Sequence, residues 1–358
     1  MRIAYFTVLS CLFVGLFSAL TLSQSGGTFA IQKSVIAGGG GSAAGGSFSL
    51  NGTIGQPVTG TTSTGGAFSL GSGFWGGGSA VPRSKTAFDY DGDGKADLSV
   101  YRPLSGLWFI DRSQAGGFVL QLGNASDKIV PADYDGDGKT DIAVYRPSQG
   151  VWYQYNSATL SYVTTQFGLA EDIPAPGDYD GDGKADLAVY RPSVGIWFIQ
   201  RSTAGLKIEQ FGSPGDIPAP GDYDGDGKND LVIWRPSNGV WFERRSQLGD
   251  FAIQFGAATD KIAPADYDGD GKMDVGIYRP SQGTWYSVNS SNGAYPVQVF
   301  GLASDIPVPG DYDGDGRADV GVFRPSDRTW YLNRTTAGLF ITQYGATGDK
   351  PTPNAFGN

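Results

Sequence analysis

The hexapeptide Asp-Tyr-Asp-Gly-Asp-Gly begins at residues 89, 133, 178, 222, 266 and 311, so the chain repeats itself every 44 or 45 residues. A unit copied six times must bury its faces against its neighbours, which confines the chain to rings or stacks of one supersecondary element. The third copy shows what a unit contains. Ile173-Pro174-Ala175-Pro176 leads into the acidic hexapeptide, Leu187 to Arg191 alternates, Gly195 to Ile199 follows a Pro-Ser turn, and Lys207 to Phe211 precedes the next copy. That is four short strands, with no run of helical period long enough for a helix. The expected fold is all-β, a β-propeller of four-stranded blades; a solenoid is the alternative, which hairpin-connected strands suit less well.

The blade count depends on the ends. After the sixth unit, Asp349 to Phe356 aligns with an innermost strand but stops where the acidic loop should begin, while residues 24–81 offer about three strands with no inner one. Seven blades are therefore expected, the two ends combining into a closing blade without a metal loop. Six blades with an N-terminal appendage are the alternative.

Each acidic loop carries Asp at its first, third, fifth and ninth positions and Gly at its fourth and sixth. The carboxylates are Asp89, Asp91, Asp93 and Asp97; Asp133, Asp135, Asp137 and Asp141; Asp178, Asp180, Asp182 and Asp186; Asp222, Asp224, Asp226 and Asp230; Asp266, Asp268, Asp270 and Asp274; Asp311, Asp313, Asp315 and Asp319. A tightly turned backbone aims three of them and the main-chain carbonyl of position seven (Lys95, Lys139, Lys184, Lys228, Lys272 or Arg317) into one centre, and the ninth returns from the next strand. Hard oxygen ligands in that number suit Ca²⁺; Mg²⁺ accepts fewer carboxylates and keeps its waters. An EF-hand would need Glu at position twelve, where Val100 stands, and helices on either side. The loops hold 24 of the 36 acids, and six Ca²⁺ ions would move the formal charge from −10 to +2. Six equivalent sites read as structural rather than catalytic.

The Phe-Gly pairs at Phe167-Gly168, Phe211-Gly212, Phe255-Gly256 and Phe300-Gly301, followed by Asp-x-Asp-Gly-Asp-Gly-x-x-Asp, resemble the FG-GAP repeats of integrin α-subunit propellers and the VCBS-type repeats of secreted bacterial proteins. The resemblance covers residues 86 to about 346. It implies a seven-bladed propeller with Ca²⁺ between the first and second strands of a blade, and all 24 Asp positions match it. A Tyr/Trp/Phe-Arg-Pro element replaces the usual Gly-Ala-Pro, and the period is shorter than in integrins, so fold transfers better than ligand.

The N-terminus differs from the rest. An uncharged, mostly apolar run from Ile3 to Leu22 follows Met1-Arg2, and residues 1–23 read as a secretory signal cut after Ser23; an uncleaved membrane anchor is the alternative. No later stretch is apolar enough to span a membrane. Residues 24–81 form a Gly/Ser/Thr-rich segment whose Phe48 and Phe68 stretches alternate as half-buried strands do, and read as short hairpins; residues 82–358 form the propeller.

Composition excludes several functions. The chain has no histidine and one cysteine, Cys11 in the signal segment, so it has no imidazole-based nucleophile system, imidazole zinc site or disulfide. Its acidic balance opposes nucleic-acid binding. Strand alternation places the metal loops on one face of the disc and Arg102, Arg146, Arg191, Arg235, Arg279 and Arg324 on the other, the candidate ligand face; the structural alternative pairs each arginine with an acid or stacks it on the nearby Trp. Trp108, Trp152, Trp197, Trp241, Trp285 and Trp330 keep one phase of the third strand and are most simply core, and Arg328, where other units have Gly, marks the expected asymmetry. The expected function is a secreted, monomeric, Ca²⁺-binding scaffold for adhesion to an extracellular protein or glycan, without catalysis. The alternatives are a lectin-like propeller and, less favoured, a polysaccharide-active enzyme.

Overall fold

The computed structural model describes residues 86–354 and four earlier strands, β1 (Gly40–Gly45), β2 (Phe48–Thr53), β3 (Thr62–Gly65) and β4 (Phe68–Gly71). The chain divides into two compact units, Met1–Pro82 and Arg83–Asn358. In the first unit β1 pairs antiparallel with β2, and β3 with β4. The expected signal segment, residues 1–23, lies outside the described residues.

The second unit is a succession of short strands. The first repeat supplies β5 (Leu98–Arg102), β6 (Leu107–Arg112) and β7 (Gly116–Gln121). The second supplies β8 (Lys128–Ile129), β9 (Ile142–Arg146), β10 (Val151–Asn156) and β11 (Ser161–Gln166), and the third β12 (Ile173–Pro174), β13 (Leu187–Arg191), β14 (Ile196–Arg201) and β15 (Gly205–Gln210). The fourth gives β16 (Ile217–Pro218), β17 (Leu231–Arg235), β18 (Val240–Arg245) and β19 (Gly249–Gln254); the fifth β20 (Lys261–Ile262), β21 (Val275–Arg279), β22 (Thr284–Val288) and β23 (Val297–Val299). The sixth gives β24 (Ile306–Pro307), β25 (Val320–Arg324), β26 (Thr329–Arg334) and β27 (Gly338–Gln343), and β28 (Lys350–Pro351) follows.

These strands form six antiparallel four-stranded sheets, the blades of a β-propeller. Blades 2 to 6 each take four consecutive strands. Blade 1 is β28-β5-β6-β7: Lys350 pairs with Tyr101 and Pro351 with Val100. The expected seventh blade is thus corrected to six. The orphan C-terminal strand supplies the missing innermost strand of the first repeat's own blade, and β1 to β4 stay in two-stranded sheets of their own.

Burial follows the strand period. On β6 the pattern alternates, Trp108 and Ile110 inward and Phe109 half-buried, because successive side chains of a strand face opposite sides and each blade is covered on both. Trp108, Trp152, Trp197, Trp241 and Trp330 are fully buried and Trp285 is 4% exposed. Each indole N–H donates to a carbonyl at the end of the outer strand, Leu122, Phe167, Phe211, Phe255, Phe300 or Tyr344, at 2.8–3.1 Å. The core is therefore anchored by rings whose one polar group is satisfied.

The Gly of the Phe-Gly pair has a local cause. Gly212 has φ +131°, and a Cβ there would lie 2.5 Å from the hydroxyl of Tyr190, which donates to the Ser213 carbonyl at 2.8 Å. The chain must leave the outer strand in a conformation, and at a closeness to the next residue's hydrogen bond, that only glycine permits.

Asymmetry falls elsewhere than Arg328. That residue keeps the left-handed conformation of its glycine counterparts, with φ +62°, and blade 6 retains two outer strands of six residues each. Blade 5 is the irregular one: β23 has three residues where the other outer strands have six.

Candidate metal centre

In blades 2 to 6 the acidic loop connects the innermost strand to the second; in blade 1, whose innermost strand is β28, the loop leads into β5 without being joined to that strand. Six carboxylate groups of metal-holding geometry occur among the described residues, including Asp89–Asp91–Asp97, Asp133–Asp135–Asp141, Asp178–Asp180–Asp186, Asp222–Asp224–Asp230 and Asp266–Asp268–Asp274, with one oxygen from each residue within 4.8 Å of the others. Positions one, three and nine thus converge. The position-one carboxylate also builds the turn: Asp222 Oδ1 accepts from Gly225 N at 2.6 Å and Oδ2 from Gly227 N at 2.8 Å.

Position five is turned outward. Asp226 Oδ1 accepts from Lys228 N at 2.9 Å and Oδ2 from the Ser246 hydroxyl at 2.5 Å. Ser246 begins the turn between the third and fourth strands. Its N–H donates to Asp230 Oδ1, while Gln247 and Leu248 donate to Asp224 Oδ2, so the turn buttresses positions three, five and nine together. Ser113, Ser157, Ser202, Ser290 and Thr335 repeat the hydroxyl bond, and that of Ser202 to Asp182 is very short. Sequence reasoning missed these hydroxyls, although each stands sixteen residues beyond a position-nine Asp.

The loops also bind one another. The N–H at position eight donates to the position-one carbonyl of the preceding loop: Thr140 to Asp89, Ala185 to Asp133, Asn229 to Asp178, Met273 to Asp222, Ala318 to Asp266 and Ala96 to Asp311, at 2.6–2.7 Å. These six bonds form a closed cycle, and the last joins blade 6 to blade 1. The stems of position seven lie over the Gly at position four of the preceding loop; a Cβ on Gly181 would meet Lys228 Cε at 3.1 Å.

The electrostatics state a need for charge. Burial, with neighbouring carboxylates adding to it and backbone N–H bonds opposing it, pushes Asp97 up to about 7 and Asp141, Asp186, Asp230, Asp274 and Asp319 up to about 6. Oδ1 of Asp180, Asp224 and Asp313 is buried and accepts no hydrogen bond. An orphaned carboxylate oxygen beside two more carboxylates is what a cation would satisfy, and a donor set of oxygen alone suits a hard ion. These clusters could hold metal ions.

Stretches 133–189 and 222–277 match the family described as FG-GAP-like repeat. Both stretches lie in blades of the six-bladed ring. The chain is a β-propeller carrying FG-GAP-like repeats.

No curated protein matches this FG-GAP-repeat propeller. Among solved structures it is similar to an Agrocybe aegerita lectin described as specifically recognising non-reducing terminal N-acetylglucosamine, at 17% identity over 70% of this chain and 77% of that one, with a TM-score of 0.47. It is similar to virginiamycin B lyase from Staphylococcus aureus at 8% identity over 71% and 83%, TM-score 0.47, and to a functionally unknown protein from Desulfotomaculum acetoxidans at 12% over 71% and 98%, TM-score 0.41. Likeness at this level carries no argument about activity.

On the propeller's other face, the six arginines sit in a repeated clamp. Arg102, Arg146, Arg191, Arg235, Arg279 and Arg324 each bind one Asp through Nε and Nη2 at 2.7–3.0 Å, the partners being Asp349, Asp127, Asp172, Asp216, Asp260 and Asp305. The Asp side chains are fully buried and the Arg side chains 18–32% exposed. Each guanidinium also covers the ring after the Trp (Phe109, Tyr153, Phe198, Phe242, Tyr286 or Tyr331) at 4.3–4.7 Å. The hydrogen bond to Asp raises the arginine pKa further.

Proposed function

We propose that this propeller is a secreted, Ca²⁺-stabilised, monomeric scaffold that binds an extracellular protein or glycan and catalyses no reaction. The observation that carries the metal part is the buried Oδ1 of Asp180, Asp224 and Asp313, left without a hydrogen bond beside two further carboxylates. Carboxylates in that number favour Ca²⁺ over Mg²⁺, which holds its waters. The expected position-seven carbonyls would complete the shell.

A binding role without chemistry is supported by how the other acids are spent. Of twelve carboxylates outside the loops, six are locked to arginine. No histidine is present to share base work. Secretion rests on the apolar run from Ile3 to Leu22; among the described residues no helix is long and apolar enough to cross a membrane.

The test is thermal unfolding in Ca²⁺, Mg²⁺ and chelator, with bound Ca²⁺ counted by calorimetry. The expected result is a Ca²⁺-selective rise in melting temperature with about six ions bound. A melting temperature indifferent to Ca²⁺ would overturn the reading.

A further inference from the structure

The six grooves between blades are not filled alike. Two residues beyond each Trp, on the same side of the third strand, stand Ile110, Gln154, Ile199, Glu243 and Leu332, but Ser287 in blade 5. Across from that position the outer strand presents Phe118, Phe251 and Phe340 in blades 1, 4 and 6, each covered by an arginine, Arg112, Arg245 or Arg334, at 4.6–5.1 Å. In blade 5 the arginine's place is taken by Asn289, and the outer strand has receded to Val297, leaving Ser287 N to donate to the Pro296 carbonyl at 3.2 Å. Blade 2 also lacks the ring and the arginine, with Val163 and Asn156 in their places, but keeps Gln154 as filler; in blade 5 all three are lost together.

The result is a cavity of about 340 Å³ between blades 5 and 6. Tyr267, Trp285, Ser287 and Gln298 form one wall, and Asn333 and Thr335 the other. Trp285 is the one tryptophan of its register that is not wholly buried. Among the described residues the Ser287 hydroxyl and the amides of Gln298 and Asn333 have no hydrogen-bond partner, and the carboxamide oxygen of Asn289 is buried without one. Arg334, the one charged residue along the cavity, is committed to the carbonyls of Ala337 and Gly338 and to the Phe340 ring.

We propose that this cavity is a binding site for a neutral saccharide. An apolar ligand would strand the three free polar groups, at the cost of leaving them desolvated and unpaired. A cation would find no carboxylate in the lining, and the guanidinium of Arg334, the one charge there, is drawn back onto two carbonyls and a ring. A neutral polyhydroxylated ring matches what remains, hydroxyls toward Ser287, Gln298 and Asn333 and its C–H face toward Tyr267 and Trp285. The volume lies at the lower end of small-ligand sites, about 300–1,000 Å³, which limits occupancy to a short saccharide. This inference rests on the reading of the propeller as a binding scaffold and names a ligand class and a place for it.

The full chain, in saturating Ca²⁺, is titrated with glucose, galactose, mannose, N-acetylglucosamine and their β-linked oligomers, followed by calorimetry and tryptophan fluorescence. At least one neutral sugar is expected to bind at one site. Ser287→Leu, which installs the side chain that blade 6 carries at this position, fills the cavity and weakens binding at least tenfold with an unchanged or higher melting temperature; Gln298→Ala weakens it without filling. Binding unaffected by Ser287→Leu, or confined to charged saccharides, overturns the proposal. A chain that melts higher in Ca²⁺ yet binds none of these sugars also overturns the site, while leaving the scaffold reading in place.

Discussion

Arg102 and Asp349 stand 247 residues apart in the chain, yet Nε of the one lies 2.8 Å from Oδ1 of the other. Around them Lys350 and Pro351 pair with Tyr101 and Val100, and the hydroxyl of Thr352 meets those of Ser99 and Tyr90, where the corresponding positions of blade 3 hold Ala188 and Ala175. Beside the Ala96 N–H bond to the Asp311 carbonyl, the ring is closed by one clamp, a two-residue strand and a knot of hydroxyls.

Breaking that clamp should cost more than breaking an equivalent one within a repeat. Arg102→Ala leaves the buried Asp349 carboxylate unpaired, an expected loss of about 3 kcal/mol, and frees the closing strand as well. Arg191→Ala removes the same contacts from Asp172 but leaves its strand held by the chain on both sides. Chemical denaturation of the two variants checks this, and equal losses would show that closure contributes nothing of its own.

Ca²⁺ is expected to bind with positive cooperativity. Each loop donates a backbone hydrogen bond to one neighbour and accepts one from the other, so ordering one loop pre-orders two more. A calorimetric titration that fits six independent sites would refute the coupling.

Glu243 should confer a pH dependence of its own. Buried in blade 4 with Arg245 Nε no nearer than 3.9 Å, its carboxyl is pushed up to about 7 by burial. A folded pKa above the unfolded one means stability fully present below about 4.3, the ordinary value, and lost as pH rises through about 7. Glu243→Gln cannot ionise, so its melting temperature relative to the parent should climb between pH 5 and pH 8. A constant difference across that range would contradict the assignment.

Arg328 holds φ +62° where the other blades place glycine. Arg328→Gly should relieve that strain and stabilise the fold by about 0.5–1 kcal/mol, read as a higher midpoint in urea. A lower midpoint would mean that the hydrogen bond from Arg328 Nε to the Asp327 carbonyl outweighs the strain.

Period, strand count, the clustering of the acidic loops and the inward tryptophans were all legible in the sequence, because each depends on spacing within one unit. The blade count was not, because innermost strands are two residues long and β28, Lys350 and Pro351, finds its partners far upstream at Tyr101 and Val100. A signal was nonetheless there. Asp127, Asp172, Asp216, Asp260 and Asp305 each stand six residues before an acidic loop; the first loop has Arg83 in that place, and the missing member appears as Asp349. That displaced residue marks a circular shift of one strand between repeat and blade. The arginine clamp was half visible: a partner acid or a ring was expected, and each arginine takes both, with the ring next to the Trp rather than the Trp itself. The blade 5 cavity was invisible, since it arises from three small losses that meet only when strands are paired.

The order in which the strands are made has its own consequence. Blade 1 is begun first and completed last, so until β28 is made, the inner edge of β5 has unpaired N–H and C=O groups. An open strand edge recruits any strand that arrives, including β28 of another copy. Slow release of a chain, or crowding of several, would thereby favour rings sewn shut by a neighbour's last strand, a strand-exchanged pair made of the same contacts as the monomer.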